Sequence, residues 1–308
     1  MVYPKITIIT PVKNSAKTLE KSIKSLLQQN YPNLEYIIMD GGSTDGTLDV
    51  IKKYEKNITY WQSKNDGSNV VAHIEGIKKA SGEIVSFLNA DDFYEPEILK
   101  KAGADFAEDS SLDIVSFRFR TIKNDKVNEE VALRDIDLNK NKVTAALGIN
   151  ARFFKKDLFY KYGFPLTNDD RGRVLISNDL EYITRFLLKG VKNKSVDYIG
   201  YNYVIHDDSL TFSKSHATKI RLCEDKIFIA KKFLNSSEFN LAKTWRKTFK
   251  KWIKKYRAML VASHLKQGHL KEAKENFLAG SEENGFIKFA FYSVKTLIRS
   301  IKEKGVGF

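Results

Sequence analysis

Two adjacent carboxylates, Asp91 and Asp92, close the stretch EIVSFLNADD that begins at Glu83. Like charges placed where a buried strand ends repel each other and lose hydration. A hard divalent cation relieves both costs, and an oxygen donor set suits Mg2+ or Mn2+. Such cations take one or two protein carboxylates and complete their shell with substrate phosphates. Taken alone, the pair reads first as a solvated strand-to-helix turn with an Asp capping the next helix.

A second polar cluster, Asp40-Gly41-Gly42-Ser43-Thr44-Asp45-Gly46-Thr47, follows the apolar run LEYIIM. Its glycines allow close approach of backbone to a ligand. Asp40, at the strand end, is the candidate for recognising a nucleobase or ribose; Asp45 reads as a helix cap. No Lys follows the glycines, which excludes a P-loop. Thr10-Pro11-Val12-Lys13-Asn14 stands after the first strand in place of G-x-G-x-x-G, which speaks against a dinucleotide dehydrogenase. Two later positions complete the set. Asp179 opens an apolar-periodic stretch, where a first-turn carboxylate also suits the helix dipole. His206 precedes Asp207-Asp208-Ser209 and reads as a ligand or as a satisfied structural histidine.

Alternating elements must hold these residues. Strand-like runs cover Ile6–Val12, Leu34–Met39, Ile58–Gln62 and Glu83–Leu88. Between them the spacing predicts helices from Ser15 to Gln29, Thr47 to Tyr54 and Val70 to Ala80, with another over Glu97–Phe106. Repeated β-α-β units imply right-handed crossovers and a mainly parallel sheet flanked by helices. Ligands bind such sheets at the carboxyl ends of strands, where the polar clusters fall. Beyond Asp113 the pattern mixes: a strand to Phe119, a strand-to-helix piece over Arg152–Tyr162, a helix over Asn178–Lys189 and a β-rich run over Val196–Ile205. From Ser215 onward the sequence reads as helix.

The 308 residues carry 52 Lys and Arg against 38 Asp and Glu, a net charge of +14. Residues 1–213 hold 30 of each sign; residues 214–308 hold 22 basic and 8 acidic side chains and so the whole excess. The 42% apolar content supports a sizeable core and argues against disorder. One cysteine, Cys223, cannot form an internal disulfide and excludes cysteine-based zinc sites. The expected setting is therefore a reducing, cytoplasmic one, with neither signal peptide nor membrane span.

The motifs, taken in order, resemble family 2 glycosyltransferases of the GT-A fold. The residues that carry this are ITIITPVKN (6–14), LLQQNYPNLEYIIMDGGSTDGT (26–47), SGEIVSFLNADDFYEP (81–96), ISNDLEYITRF (176–186) and HDDSLTFS (206–213). The resemblance covers residues 4–213 and is most specific over 4–96. It implies an inverting transfer of sugar from a nucleotide diphosphate donor, a UDP-sugar, to a glycan or lipid-linked acceptor in surface polysaccharide or glycolipid synthesis. Carried over by position, Thr10, Pro11, Asn14, Asp40, Gly41, Asp66, Asn89, Ala90 and Asp92 fall to the donor, and Asp91 and His206 to the Mg2+ or Mn2+. Asp179 takes the position of the family's catalytic base. The implied domains are a GT-A domain over 1–213, with a nucleotide-sugar half (1–106) and an acceptor half (107–213), and a basic helical region over 214–308.

Several positions depart from the family pattern. Asn89 and Asn178 stand where relatives carry acids. In DGSNVVAHIEG (66–76), Gly67 replaces a basic residue, and Val71 and Ile74 replace an Asp and an Asn. These departures keep open a GT-A-like nucleotide- or glycan-binding protein with little or no catalysis.

The basic region holds two aromatic or aliphatic stripes at helical spacing. One is Trp245, Phe249, Trp252 and Tyr256; the other is Ile287, Ala290, Phe291, Val294, Ile298 and Ile301. Each is flanked by Lys and Arg, which suits either an anionic membrane surface or an ordinary packed helix with solvated lysines. The expectation is a peripheral position at the inner face of the cell membrane. No helix-turn-helix, zinc-finger or RNA-binding signature points to nucleic acid.

Overall fold

A computed structural model describes residues 3–65, 67–132, 149–206 and 215–302. Contacts divide the chain into two units: Met1–Thr167 with Asn178–Ile205, and Asn168–Ser177 with His206–Phe308.

The first unit carries one mixed sheet. Its strands are β1 (Ile6–Val12), β2 (Leu34–Asp40), β3 (Tyr60–Ser63), β4 (Ile84–Phe87), β5 (Phe93–Tyr94), β6 (Ile114–Lys123), β7 (Lys126–Glu130), β8 (Arg152–Lys155) and β9 (Asn193–Val204). The order is β3-β2-β1-β4-β8-β6-β9-β5, with β7 paired to β6. The half built from β3, β2, β1 and β4 is parallel, as the crossover pattern requires. Then β8 runs antiparallel between β4 and β6, while β6 and β9 pair in parallel. The charged and fully exposed KVNEE of β7 has no apolar alternation, so sequence pattern alone does not reveal it.

Both faces of the parallel half are covered. Ile6, Ile8, Tyr36 and Ile38 join one core with Leu19, Ile23 and Leu26 of the helix Leu19–Leu27. Ile9, Ile37, Met39, Val85 and Phe87 face the other core, with Ala72 and Ile77 of the helix Asn69–Lys79. Alternate residues of one strand thus point into opposite cores. Full burial of each such aliphatic side chain contributes about 2 kcal/mol. Gly76 lets the helix Asn69–Lys79 approach β1: a Cβ there would lie 2.5 Å from Ile9 Cγ2.

The first helix begins later than Ser15 predicts. Asn14 adopts a left-handed backbone (φ 50°), and the Ser15 carbonyl accepts the Thr18 and Leu19 N–H groups, so the helix proper starts at Leu19. The helix Asn178–Leu188 packs Tyr182, Ile183 and Phe186 against Phe154, Leu158 and Phe159.

In the second unit the helices are His216–Asn235, Lys243–Lys266, Leu270–Asn284 and Phe286–Lys302. Their sequence-level stripes meet different ends. Phe249 and Trp252 are buried, Phe249 stacking on Phe233 at 5.6 Å between ring centroids, and Tyr256 packs beside Cys223 and Leu260. The first stripe is thus interior to the helical unit. In the second, Ile287 is 83% and Phe291 77% exposed, with Val294 and Ile298 exposed beside them. No described helix is long and apolar enough to cross a membrane.

Candidate functional site

Register sets the site. Val12 pairs with Asp40, and Ile9 pairs with Phe87, so the carboxyl ends of β2, β1 and β4 stand side by side. Thr10-Pro11 near the end of β1, Asp40-Gly41 at the end of β2 and Asn89–Asp92 beyond β4 all fall on this edge. The Gly41 N–H donates to the Val12 carbonyl at 2.8 Å, which ties the first two ends together.

Asp40 is buried and its carboxylate is occupied. Oδ2 accepts the N–H groups of Gly42 (3.1 Å) and Ser43 (3.0 Å) and the Ser63 hydroxyl (2.5 Å), and Oδ1 accepts the Ser43 hydroxyl (2.5 Å). Three of these donors fall on Oδ2 and one on Oδ1. Asp40 therefore shapes the turn, and Gly42, at φ 79°, supplies the left-handed step. Asn14 reaches the same turn: its N–H donates to Ser43 Oγ (2.8 Å) and its Oδ1 accepts the Thr44 N–H (2.9 Å). Thr10 is fully buried, and its hydroxyl accepts from the Tyr36 phenol at 3.2 Å.

The turn Asn89–Asp92 is built differently. Its first carbonyl, that of Asn89, accepts the Ser22 hydroxyl at 3.0 Å and the Asp92 N–H at 3.3 Å. Asp92 points inward, 1% exposed: Oδ2 accepts the Tyr201 phenol (2.5 Å) and the Asn89 amide (2.9 Å), and Oδ1 accepts the Val204 N–H (2.7 Å). Burial, and secondarily the charge of Asp91, pushes the Asp92 carboxyl up to about 8. Asp91 is only half-buried, and Ala90 is buried beneath it. The two acids thus differ: Asp92 is folded inward and Asp91 is half-buried. One carboxylate beside a diphosphate is an ordinary donor set for Mg2+ or Mn2+. Among the described residues no group of three or more His, Cys, Asp or Glu forms a metal cluster.

Asp179 lies in the first turn of the helix Asn178–Leu188, half-buried, its Oδ1 accepting the Leu180 N–H at 2.8 Å. Three residues on, Tyr182 is fully buried, and its hydroxyl has no partner among the described residues. His206 is exposed, two residues past β9. Asp66 and the following Asp207-Asp208-Ser209 lie outside the described residues.

Sequence pattern missed three residues here. Tyr201 and Val204 read only as part of a β-rich run, yet they fix Asp92 from more than a hundred positions away. His73 sits within the divergent 66–76 segment. It is buried against Phe87 at 4.4 Å between centroids, its Nε2 has no partner among the described residues, and burial lowers its pKa to about 4. An aliphatic-rich helix with one central His gave the only hint.

Comparison with known proteins bears on these elements. Residues 7–173 match the family described as glycosyl transferase family 2. A poly(ribitol-phosphate) beta-glucosyltransferase from Bacillus spizizenii is 29% identical over 216 residues, 66% of this chain and 33% of that enzyme. The chain likewise spans less than half the length of other curated relatives it matches. The mannosyltransferase PcManGT from Pyrobaculum calidifontis, solved with GDP-Man and Mn2+, superposes with a TM-score of 0.61 at 18% identity, over 97% of this chain and 81% of that one. TarS 1-349 from S. aureus, solved with UDP-GlcNAc, gives 0.55 at 17% identity, over 91% and 92% of the two chains. The fold is that of GT-A glycosyltransferases.

Proposed function

Since the chain belongs to glycosyl transferase family 2, we propose that it is a metal-dependent inverting glycosyltransferase. It takes a sugar from a nucleotide diphosphate donor, a UDP-sugar, and passes it to a glycan or lipid-linked acceptor in surface-glycan synthesis. The observation that carries this reading is the acid pair that follows β4 on the edge where β1 and β2 also end, with Asp92 folded inward and Asp91 half-buried beside it.

Chemically, the acceptor hydroxyl attacks the anomeric carbon in line with the leaving diphosphate. Asp179 accepts the hydroxyl proton as the new C–O bond forms, and the bonding pair of the broken C–O bond leaves on the diphosphate oxygen. Mg2+ or Mn2+, when bound, would neutralise the growing diphosphate charge. Asp91 would hold that cation, and His206 is the second ligand the family resemblance suggests. Thr10, Pro11, Asn14, Asp40, Gly41, Asn89, Ala90 and Asp92 would form the donor side, with Asp40 and Asp92 shaping its two turns; Asp66 is the remaining candidate. One fold neighbour was solved with UDP-GlcNAc and another with GDP-Man and Mn2+, which supports the donor class and the cation.

The test is a panel of UDP- and GDP-sugars screened by thermal shift with and without Mn2+, followed by donor hydrolysis. Ligand binding to the native state raises Tm by mass action. A Mn2+-dependent rise with turnover supports the enzyme; tight nucleotide binding without turnover on any donor favours a binding protein instead.

The partner surface proposed for the helical unit is an anionic membrane. The exposed face Ile287, Phe291, Val294 and Ile298 lies on a helix with Lys288, Lys295 and Arg299 and no acidic residue. Two such faces would repel each other, so a second copy suits it less than acidic lipid. Flotation with phosphatidylglycerol vesicles should carry the protein, and Phe291→Glu should abolish it; equal flotation on neutral vesicles would overturn the electrostatic part.

A further inference from the structure

The outer face of the helix Leu19–Leu27 carries a basic groove that the proposed transfer leaves without a role. Leu19, Ile23 and Leu26 turn into the core, so Lys21 and Lys24, with Lys17 in the turn just before, fall on the opposite face about one helical turn apart. Beside them stands β5. The Tyr94 N–H donates to Ser25 Oγ at 3.1 Å, and Lys21 Nζ lies 3.8 Å from the centroid of the Phe93 ring. Lys17, Lys21, Lys24, Ser25, Gln28 and Phe93 line an open groove of about 530 Å³, in which Glu20 is the one acid among the described residues. The whole groove belongs to the unit that carries the sheet.

Its charges are uneven. Glu20 Oε1 meets Lys24 (2.9 Å), Lys53 (3.0 Å) and the Tyr54 phenol (2.8 Å), and Lys24, then Tyr54 and Lys53, bring its carboxyl down to about 2. Glu20 is thus occupied, whereas among the described residues Lys17 and Lys21 have no carboxylate partner. An ammonium that faces a ring keeps N–H donors for an anion. Among the described residues no exposed large apolar side chain lies on this helix or on β5. Cations beside hydroxyl and amide groups suit a hydrated anionic chain, while a lipid surface calls for apolar side chains. The groove is also tied to the turn proposed to hold the cation. Ser22 Oγ donates to the Asn89 carbonyl at 3.0 Å before the acid pair, and Gln29 Nε2 donates to the Glu95 carbonyl at 2.9 Å after it. One helix therefore brackets Asp91 and Asp92 and carries the lysines.

We propose that this groove binds an anionic glycan chain, one bearing phosphate diesters or carboxylates, with Lys17 and Lys21 as its principal contacts. The chain's role, as a stretch of the acceptor beyond the reacting sugar, rests on the glycosyltransferase reading; the binding itself stands on the groove. Cations spaced along one helix face meet several charges of a single chain at once, which favours a polymer over a lone ion.

The full chain would be mixed with polyphosphate, polygalacturonate or neutral dextran, its lysines labelled with acetic anhydride, and each site read by mass spectrometry. With a polyanion, labelling at Lys17 and Lys21 should slow about 5-fold at about 0.15 M salt, and dextran should change nothing. Reading each lysine separately keeps the groove apart from the basic helices, whose charge attracts any polyanion. Protection confined to the lysines of 243–302, or equal at every exposed lysine, overturns the proposal. Lys17 and Lys21 are exposed, so the double variant Lys17→Gln, Lys21→Gln should fold. In it the polyanion concentration that protects Lys24 should rise about 5-fold. The matching variant Lys250→Gln, Lys251→Gln should leave that concentration unchanged, and an equal rise in both overturns a local site. Phosphatidylglycerol vesicles that protect Lys17 and Lys21 where both polymers fail would give the groove to lipid headgroups and overturn the glycan. Hydrolysis of UDP-glucose with Mn2+ should be the same in the wild type and in the Lys17 and Lys21 variant; a fall would put these lysines on the donor and overturn the acceptor role. If the wild type turns over no nucleotide sugar, the enzyme reading fails, and protection at Lys17 and Lys21 still decides the groove. Turnover without that protection overturns the groove alone.

Discussion

The turns after β2 and after β4 leave the same sheet edge, and each carries acids, but they use them in opposite ways. After β2, Asp40 is consumed by its own loop: four donors from Gly42, Ser43 and Ser63 surround it. After β4, the inward role falls to Asp92, whose partners Tyr201 and Val204 come from β9, and Asp91 remains outside. An acid at a strand end can thus serve its own turn, as Asp40 and Asp92 do. Asp91 is the acid of this edge proposed to hold the cation.

The largest effect expected from this contrast is on activity. Asp91→Ala should lower Mn2+-dependent donor hydrolysis by about 100-fold or more, since it removes the carboxylate proposed to hold the cation. Its melting temperature should stay near that of the wild type. Retained hydrolysis would remove the distinction between the two turns. Asp40→Ala should invert the pattern. It strands buried donors and should destabilise the fold by about 3 kcal/mol, measured by urea unfolding, with activity lost through the loop. A stable Asp40→Ala that loses only nucleotide affinity would instead make Asp40 a direct donor contact.

Asp92→Asn should fall between these. With its carboxyl near 8, Asp92 is largely protonated at pH 7, and Asn approximates that form. The expected cost is about 1 kcal/mol at pH 7. A raised folded-state pKa contributes stability that is complete below the ordinary carboxylate range and lost as pH rises through about 8. Urea unfolding between pH 5 and 9 should therefore show a decline toward high pH in the wild type that the variant lacks.

The contrast also marks how much the sequence reveals. The parallel half was readable because each strand is a continuous apolar run ending in polar residues, and each crossover helix carries one apolar face. Thus the placement of Pro11, Asp40 and Asp91 on one edge followed from pattern. What pattern could not supply is pairing at long separation. Tyr201 on Asp92, β8 antiparallel within the sheet, and Asp225 on Ile176 and Ser177 join residues that share no local signal. The same limit applies to the two stripes of the helical region. Trp245 to Tyr256 and Ile287 to Ile298 have one periodicity and similar flanking charge, and only the neighbouring helix decides that the first is covered and the second is not.

A last test, seen only in acid, concerns what lies beneath the second turn. His73 packs on Phe87, the last residue of β4, and is neutral because burial holds its pKa near 4, below an ordinary 6.5. A base with a lowered folded-state pKa contributes stability that is present above 6.5 and is lost as pH falls toward 4, because the unfolded chain binds the proton first. At pH 5 that loss amounts to about 2 kcal/mol. His73→Phe keeps an aromatic surface for Phe87 without a titrating nitrogen, so its unfolding free energy should decline less between pH 7.5 and 5 than that of the wild type. Because His73 supports the β4 side of the edge, hydrogen exchange at pH 5 should quicken around Phe87 and Leu88 before it does in the turn that Asp40 holds. Equal quickening in both turns would mean that acid weakens the edge as a whole, and that the two turns share a common support.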